Sequence, residues 1–158
     1  MRERMWYSIF MPHAGLMDEA RLGPEEGPLQ RARLHMRSGK RRLRQGKISA
    51  GIVTLYDALS AALQWYVASP ARKSALTINA QDNLKDERAI YAVLVRSGIL
   101  DGAFDYEAFD RVVEAALRDE MPEYDYTESL RGIESVMTQL GVMPFDEKDL
   151  PAEDPATF

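Results

Sequence analysis

A chain of 158 residues, 46% apolar and 28% charged, has the composition of one soluble globular domain, long enough to bury about two thirds of its unfolded surface. The absence of cysteine removes disulfides, thiolate zinc sites, iron–sulfur clusters and thiol nucleophiles, and a reducing cytoplasm is the expected setting. No apolar stretch of about 18 residues is free of charge, so no membrane span is expected. The net charge of −5 hides a division, since residues 1–100 carry 16 Lys/Arg against 9 Asp/Glu and residues 101–158 carry 4 against 16.

Residues 1–27 give the weakest local signal. Trp6, Tyr7, Ile9 and Phe10 suit a short helix, a strand or an apolar arm packed on the domain or on a second copy of it. Glu3 and Pro12 make the segment a poor signal peptide. A first helix is predicted over 28–44, with Pro28 at its first position, where a missing N–H costs no intrahelical bond. Leu29, Ala32, Met36 and Leu43 form its apolar stripe, Arg and Lys fill the remaining circumference, and Ser38-Gly39 is a candidate kink.

The second helix, over 48–69, carries the strongest pattern. Ile48, Ile52, Leu55, Leu59, Leu63 and Tyr66 share one face, widened by Val53, Ala58, Ala61, Ala62 and Trp65. A helix apolar nearly all round belongs inside a bundle. Thr54, Asp57 and Gln64 are left as one thin polar edge, and Pro70 helps to end the helix. A long connection is expected over 71–83.

A third helix, over 84–97, presents Leu84, Ile90, Tyr91, Leu94 and Val95, and Gly98-Ile99 reads as a left-handed C-cap. The fourth begins after Asp105 as N-cap, with Phe104 and Phe109 spaced as a hydrophobic staple. It buries Phe109, Val112, Val113, Ala116 and Leu117, and Pro122 closes the segment. The fifth, over 127–140, buries Leu130, Ile133, Val136, Met137 and Leu140 and meets Gly141. Beyond Met143, three prolines and five acids predict a flexible acidic tail, extended or disordered.

These residues permit little recognisable chemistry. His13 and His35 have no partner at helical spacing for a metal site, and the acidic groups around Pro122 and before the fourth helix suit helix ends and turns. Gly39-Lys40 and Gly46-Lys47 resemble the end of a phosphate-binding loop. The first glycine such a loop needs is replaced by Leu34 and Arg41 respectively. No serine-hydrolase elbow occurs. Acid–base carboxylate pairs, which assemble only in the fold, keep an enzyme of unrecognised type as a third reading. Asp57 is the one carboxylate predicted inside the core. A buried carboxylate needs a partner, so the edge of Thr54, Asp57 and Gln64 is the first place to look for a site.

The run 31–47 holds eight of the twenty Lys/Arg and no acid. As a phosphate- or nucleic-acid-binding face it would use Arg37, Lys40, Arg41, Arg42, Arg44 and Lys47, with affinity falling steeply with salt. The competing expectation is that the run pairs with the acid-rich second half, within one subunit or across a dimer. No aromatic residue interleaves it, so base stacking is not expected.

Residues 43–68 (LRQGKISAGIVTLYDALSAALQWYVA) resemble the HEPN helical-bundle domains. The characteristic helix of those domains follows a short Gly-containing turn and carries small residues and tyrosine, as Ala50, Ile52, Tyr56, Ala58, Ala61 and Ala62 do here. The resemblance covers about a quarter of the chain. It implies a small, often dimeric α-helical bundle, a group that includes ribonucleases, toxin partners of nucleotidyltransferases and inactive binding modules. The ribonuclease members use an Arg followed a few residues later by a His, late in the domain. This chain has no His after His35, so the resemblance implies a non-catalytic member.

The expected architecture is an all-α, four- to five-helix bundle over 28–141, with a central apolar helix, an N-terminal arm over 1–27 and an acidic tail over 142–158. The expected function is a non-catalytic interaction protein that forms a homo-oligomer or binds a protein partner. It needs no cofactor or metal and no membrane. The alternative is an RNA- or nucleotide-binding module built on 31–47.

Overall fold

The computed structural model describes residues 22–157. The predicted N-terminal arm and His13 lie outside them. Among the described residues the chain is all α, with no strand. Its helices are α1 (Glu26–Arg44), α2 (Ile48–Ala68), α3 (Pro70–Ser74), α4 (Glu87–Arg96), α5 (Tyr106–Arg118) and α6 (Thr127–Leu140). Two 3-10 turns follow, Glu147–Asp149 and Pro155–Thr157. No described helix is long and apolar enough to cross a membrane.

The helices α1 and α2 form a tight antiparallel hairpin across the turn at 45–47. Two glycines set the approach. A Cβ on Gly39 would stand 2.9 Å from Leu55 Cδ2, and one on Gly51 would stand 2.6 Å from Leu43 Cδ2. Each leucine therefore fills the space beside the facing glycine, and the two backbones close around the pair. Ser38-Gly39, a candidate kink in the sequence, instead lies within an uninterrupted helix. Its missing side chain serves packing, and the Ser38 hydroxyl donates to Leu34 O at 3.1 Å.

The remaining helices pack around α2, the hub of the bundle. Ile52, Leu55, Ala58, Leu59, Ala62 and Leu63 of α2 are fully buried, together with Ile90 and Leu94 of α4 and Ile133 and Met137 of α6. The α4 end has the expected cap: Gly98 takes φ +76°, Ile99 N–H donates to Leu94 O and Gly98 N–H to Val95 O, both at 3.0 Å. Asp105 caps α5 by accepting from Ala108 N–H at 2.9 Å, and the Phe104 and Phe109 rings sit 5.7 Å apart, as the staple spacing predicts. Tyr91 closes the same corner by donating to Phe104 O at 2.6 Å.

Two expectations need correction. Residues 70–74 are not loop: Ser69 accepts from Arg72 N–H, Pro70 takes the first position, and α3 forms directly after α2. Leu117 is not buried but 61% exposed, because the last turn of α5 overhangs a gap beside α2 that no described element fills. The tail is extended apart from its two 3-10 turns, one of the conformations expected, and it runs back along α1. Arg33 Nε donates to Val142 O at 3.1 Å, Arg37 Nη2 to Pro151 O at 2.5 Å and Arg41 Nε to Glu153 Oε2 at 2.8 Å. Those arginines offer fixed donors to a segment rich in acceptors, and that gives the tail its course.

Candidate functional site

Arg31 and His35 stand one helical turn apart on the face of α1 that meets Asp57 of α2. Arg31 grips the carboxylate with two hydrogen bonds, Nε to Oδ2 at 2.9 Å and Nη2 to Oδ1 at 2.6 Å. His35, fully buried, contacts Oδ2 through Nδ1. Burial pushes the Asp57 carboxyl up. The His35 hydrogen bond and charge, then those of Arg31, outweigh it and hold the carboxyl down to about 2. A carboxylate so stabilised takes up a proton too weakly to act as a general base near neutrality. It locks α1 to α2 electrostatically. The sequence indicates that Asp57 needs a partner but does not single out His35 as that partner. The usable signal was the four-residue spacing of Arg31 and His35 on one face.

The Arg31–Asp57 pair lines a cleft of about 170 Å³ beside α2 and α5, together with Val53, Tyr56, Val113 and Leu117. Behind it Tyr106 is hydrogen-bonded to Tyr56. Burial first, and then Tyr56 and the acids Glu87 and Asp110, push the Tyr106 hydroxyl well above its ordinary range, so that it stays neutral. The cleft thus combines the apolar Val53, Val113 and Leu117 with Tyr56 and the Arg31–Asp57 pair.

The predicted polar edge divides among three partners. Thr54 is buried; it donates to Ala50 O at 2.7 Å and accepts from Arg42 Nη1 at 2.8 Å. Asp57 belongs to the α1 cluster. Gln64 is exposed, and with Ser60 it donates to Glu87 Oε1 of α4, at 2.8 and 2.7 Å.

Four of the six cations proposed for phosphate binding are engaged within the chain. Arg42 is buried against Thr54; burial, then the adjacent Arg41, lower its pKa below the ordinary arginine value. Lys40 lies 3.6 Å from Glu134 of α6, and Arg37 and Arg41 face Glu153 at 3.8 and 2.8 Å. Arg44 and Lys47, at the turn into α2, are exposed. Three cations of the basic run, Arg37, Lys40 and Arg41, thus pair with acids of the second half inside one chain. Among the described residues no group of three or more His, Cys, Asp or Glu is arranged to hold a metal ion.

The class of protein that fold and site define is an all-α bundle with an α1–α2 ion-pair lock and an open apolar cleft. Comparison of the chain with protein-family models, curated proteins and solved structures finds no match.

Proposed function

We propose that the chain is a non-catalytic interaction protein of HEPN-like type that self-associates through the α2–α5 cleft. One observation carries the reading. Leu117 stands 61% exposed on the rim of a cleft whose other walls are Val53, Val113 and Tyr56, so a leucine-sized apolar contact is left open to solvent. Two copies meeting at this face would each cover the other's Leu117, and a self-complementary patch is the ordinary basis of a two-fold dimer. A cytoplasmic setting is part of the proposal, and the cysteine-free composition is compatible with it.

Sedimentation equilibrium tests it. The wild-type chain is expected to sediment as a dimer at micromolar concentration, and Leu117→Arg as a monomer with an unchanged helical spectrum. A wild-type mass that stays monomeric at high concentration, or a Leu117→Arg mass equal to that of the wild type, refutes the proposal.

A further inference from the structure

The strip of α1 under the tail has an anion already seated on it. Arg33, Arg37, Arg41 and Arg44 recur at intervals of four, four and three residues, so they line one face of α1 over about 16 Å. The tail follows this face. Phe145 lies against the Arg33 guanidinium, Arg37 donates to the carbonyls of Glu147 and Pro151, and Glu153 places its carboxylate between Arg37 and Arg41. The Glu153 side chain is only 8% exposed.

The fit is incomplete. Arg41 Nε is bonded to Glu153 Oε2 at 2.8 Å, whereas the buried Arg37 Nε pairs with Oε1 only at 3.8 Å, outside hydrogen-bond range, and makes no hydrogen bond. As seated, the Glu153 carboxylate bonds Arg41 closely and leaves Arg37 Nε beyond bonding distance. A phosphate group, with oxygens disposed in three dimensions, can accept from both. A cleft of about 240 Å³ opens beside this contact, lined by Leu29, Gln30 and Arg33 of α1 and by Pro144, Asp146 and Leu150 of the tail.

We infer that the Arg33–Arg37–Arg41–Arg44 face of α1 is a binding site for the phosphate backbone of single-stranded nucleic acid, and that Glu153 occupies it in the resting chain as a tethered competitor. The strip is one helix face wide and now carries one polypeptide strand, which matches a single backbone strand. It has no aromatic residue for base stacking, so recognition is independent of sequence. Displacing the tail frees Arg37 and Arg41 beside the already exposed Arg44 and Lys47. A competitor that occupies the site about nine-tenths of the time weakens apparent affinity about tenfold. The site lies on α1 and not on the α2–α5 cleft, so it stands or falls independently of dimerisation.

The test uses the full chain and a fluorescein-labelled oligouridylate, read by anisotropy at low salt. Glu153→Arg is expected to bind about tenfold more tightly than Glu114→Arg. The latter changes net charge equally at an exposed position of α5, a helix that packs on α2. With about three phosphates neutralised, log affinity should fall against log salt with a slope of about −2. Adding Arg37→Gln and Arg41→Gln to Glu153→Arg should abolish the gain. Glu153→Gln, which leaves shape and tail intact, should show a smaller gain in the same direction. Equal binding by Glu153→Arg and Glu114→Arg, or a gain that survives loss of Arg37 and Arg41, overturns the assignment.

Discussion

Replacing Asp57 by asparagine keeps the shape of the side chain and removes the charge that joins α1 to α2. The folded carboxyl is held at about 2 against an ordinary 3.8. Each tenfold change in proton affinity corresponds to about 1.4 kcal/mol, so the ionised form contributes about 2 kcal/mol to stability at neutral pH. The Asp57 side chain is 14% exposed, so solvent screening removes little of this. Because the folded value lies below the unfolded one, the contribution is complete above about pH 5 and is lost as pH falls towards 2. In urea titrations at pH 7, Asp57→Asn is therefore expected to lose about 2 kcal/mol, and in a thermal melt about 4–8 °C. The gap between the two proteins should close progressively as the pH is lowered from 5 towards 2, since only the wild type has a proton to gain at this position. Coincident unfolding curves at pH 7, or a gap that keeps its size in acid, would show that the Arg31–Asp57–His35 contacts do not have the electrostatic role given to them.

Three further outcomes follow from the same packing. Thr54→Val removes the acceptor of a buried guanidinium without changing volume, so chemical denaturation should show a loss of about 2 kcal/mol; a neutral result would mean that Arg42 finds another acceptor. Gly51→Ala raises helix propensity by about 1 kcal/mol, yet its Cβ would meet Leu43 at 2.6 Å, and overpacking of about 1–3 kcal/mol should make the variant less stable in a thermal melt. A stabilised Gly51→Ala would refute the close approach of α1 and α2. Arg72 stacks 4.0 Å from the Trp65 ring centroid and donates to the carbonyls of Trp65 and Tyr66 at the end of α2. Arg72→Ala should lower stability by about 1–2 kcal/mol and alter tryptophan fluorescence, and unchanged emission would argue against the stacking.

The helices were legible because their signals are local. The period of the apolar residues located α2, and Gly141, left-handed at φ +88°, marked the end of α6, since that stop is encoded within a turn of the helix end. The short α3 has a local start signal in Ser69-Pro70 but no apolar stripe, so periodicity does not reveal it. Leu117 continued the stripe of Phe109 and Val113 faithfully. Periodicity tells which face a residue occupies and nothing about whether a neighbour reaches that far along the axis.

The candidate site divides in the same way. The sequence by itself determined an all-α chain, the acid-free basic run and a carboxylate at Asp57 that required a partner. Only the tertiary structure decided that the partners are Arg31 and His35, that Thr54 serves Arg42, and that Gln64 faces solvent. It also decided the fate of the basic run, because Glu153 meets Arg41 across 112 positions of chain. Charge is written residue by residue, but whether a charge faces water, a phosphate or its own distant counter-ion depends on which surfaces the folded chain brings together.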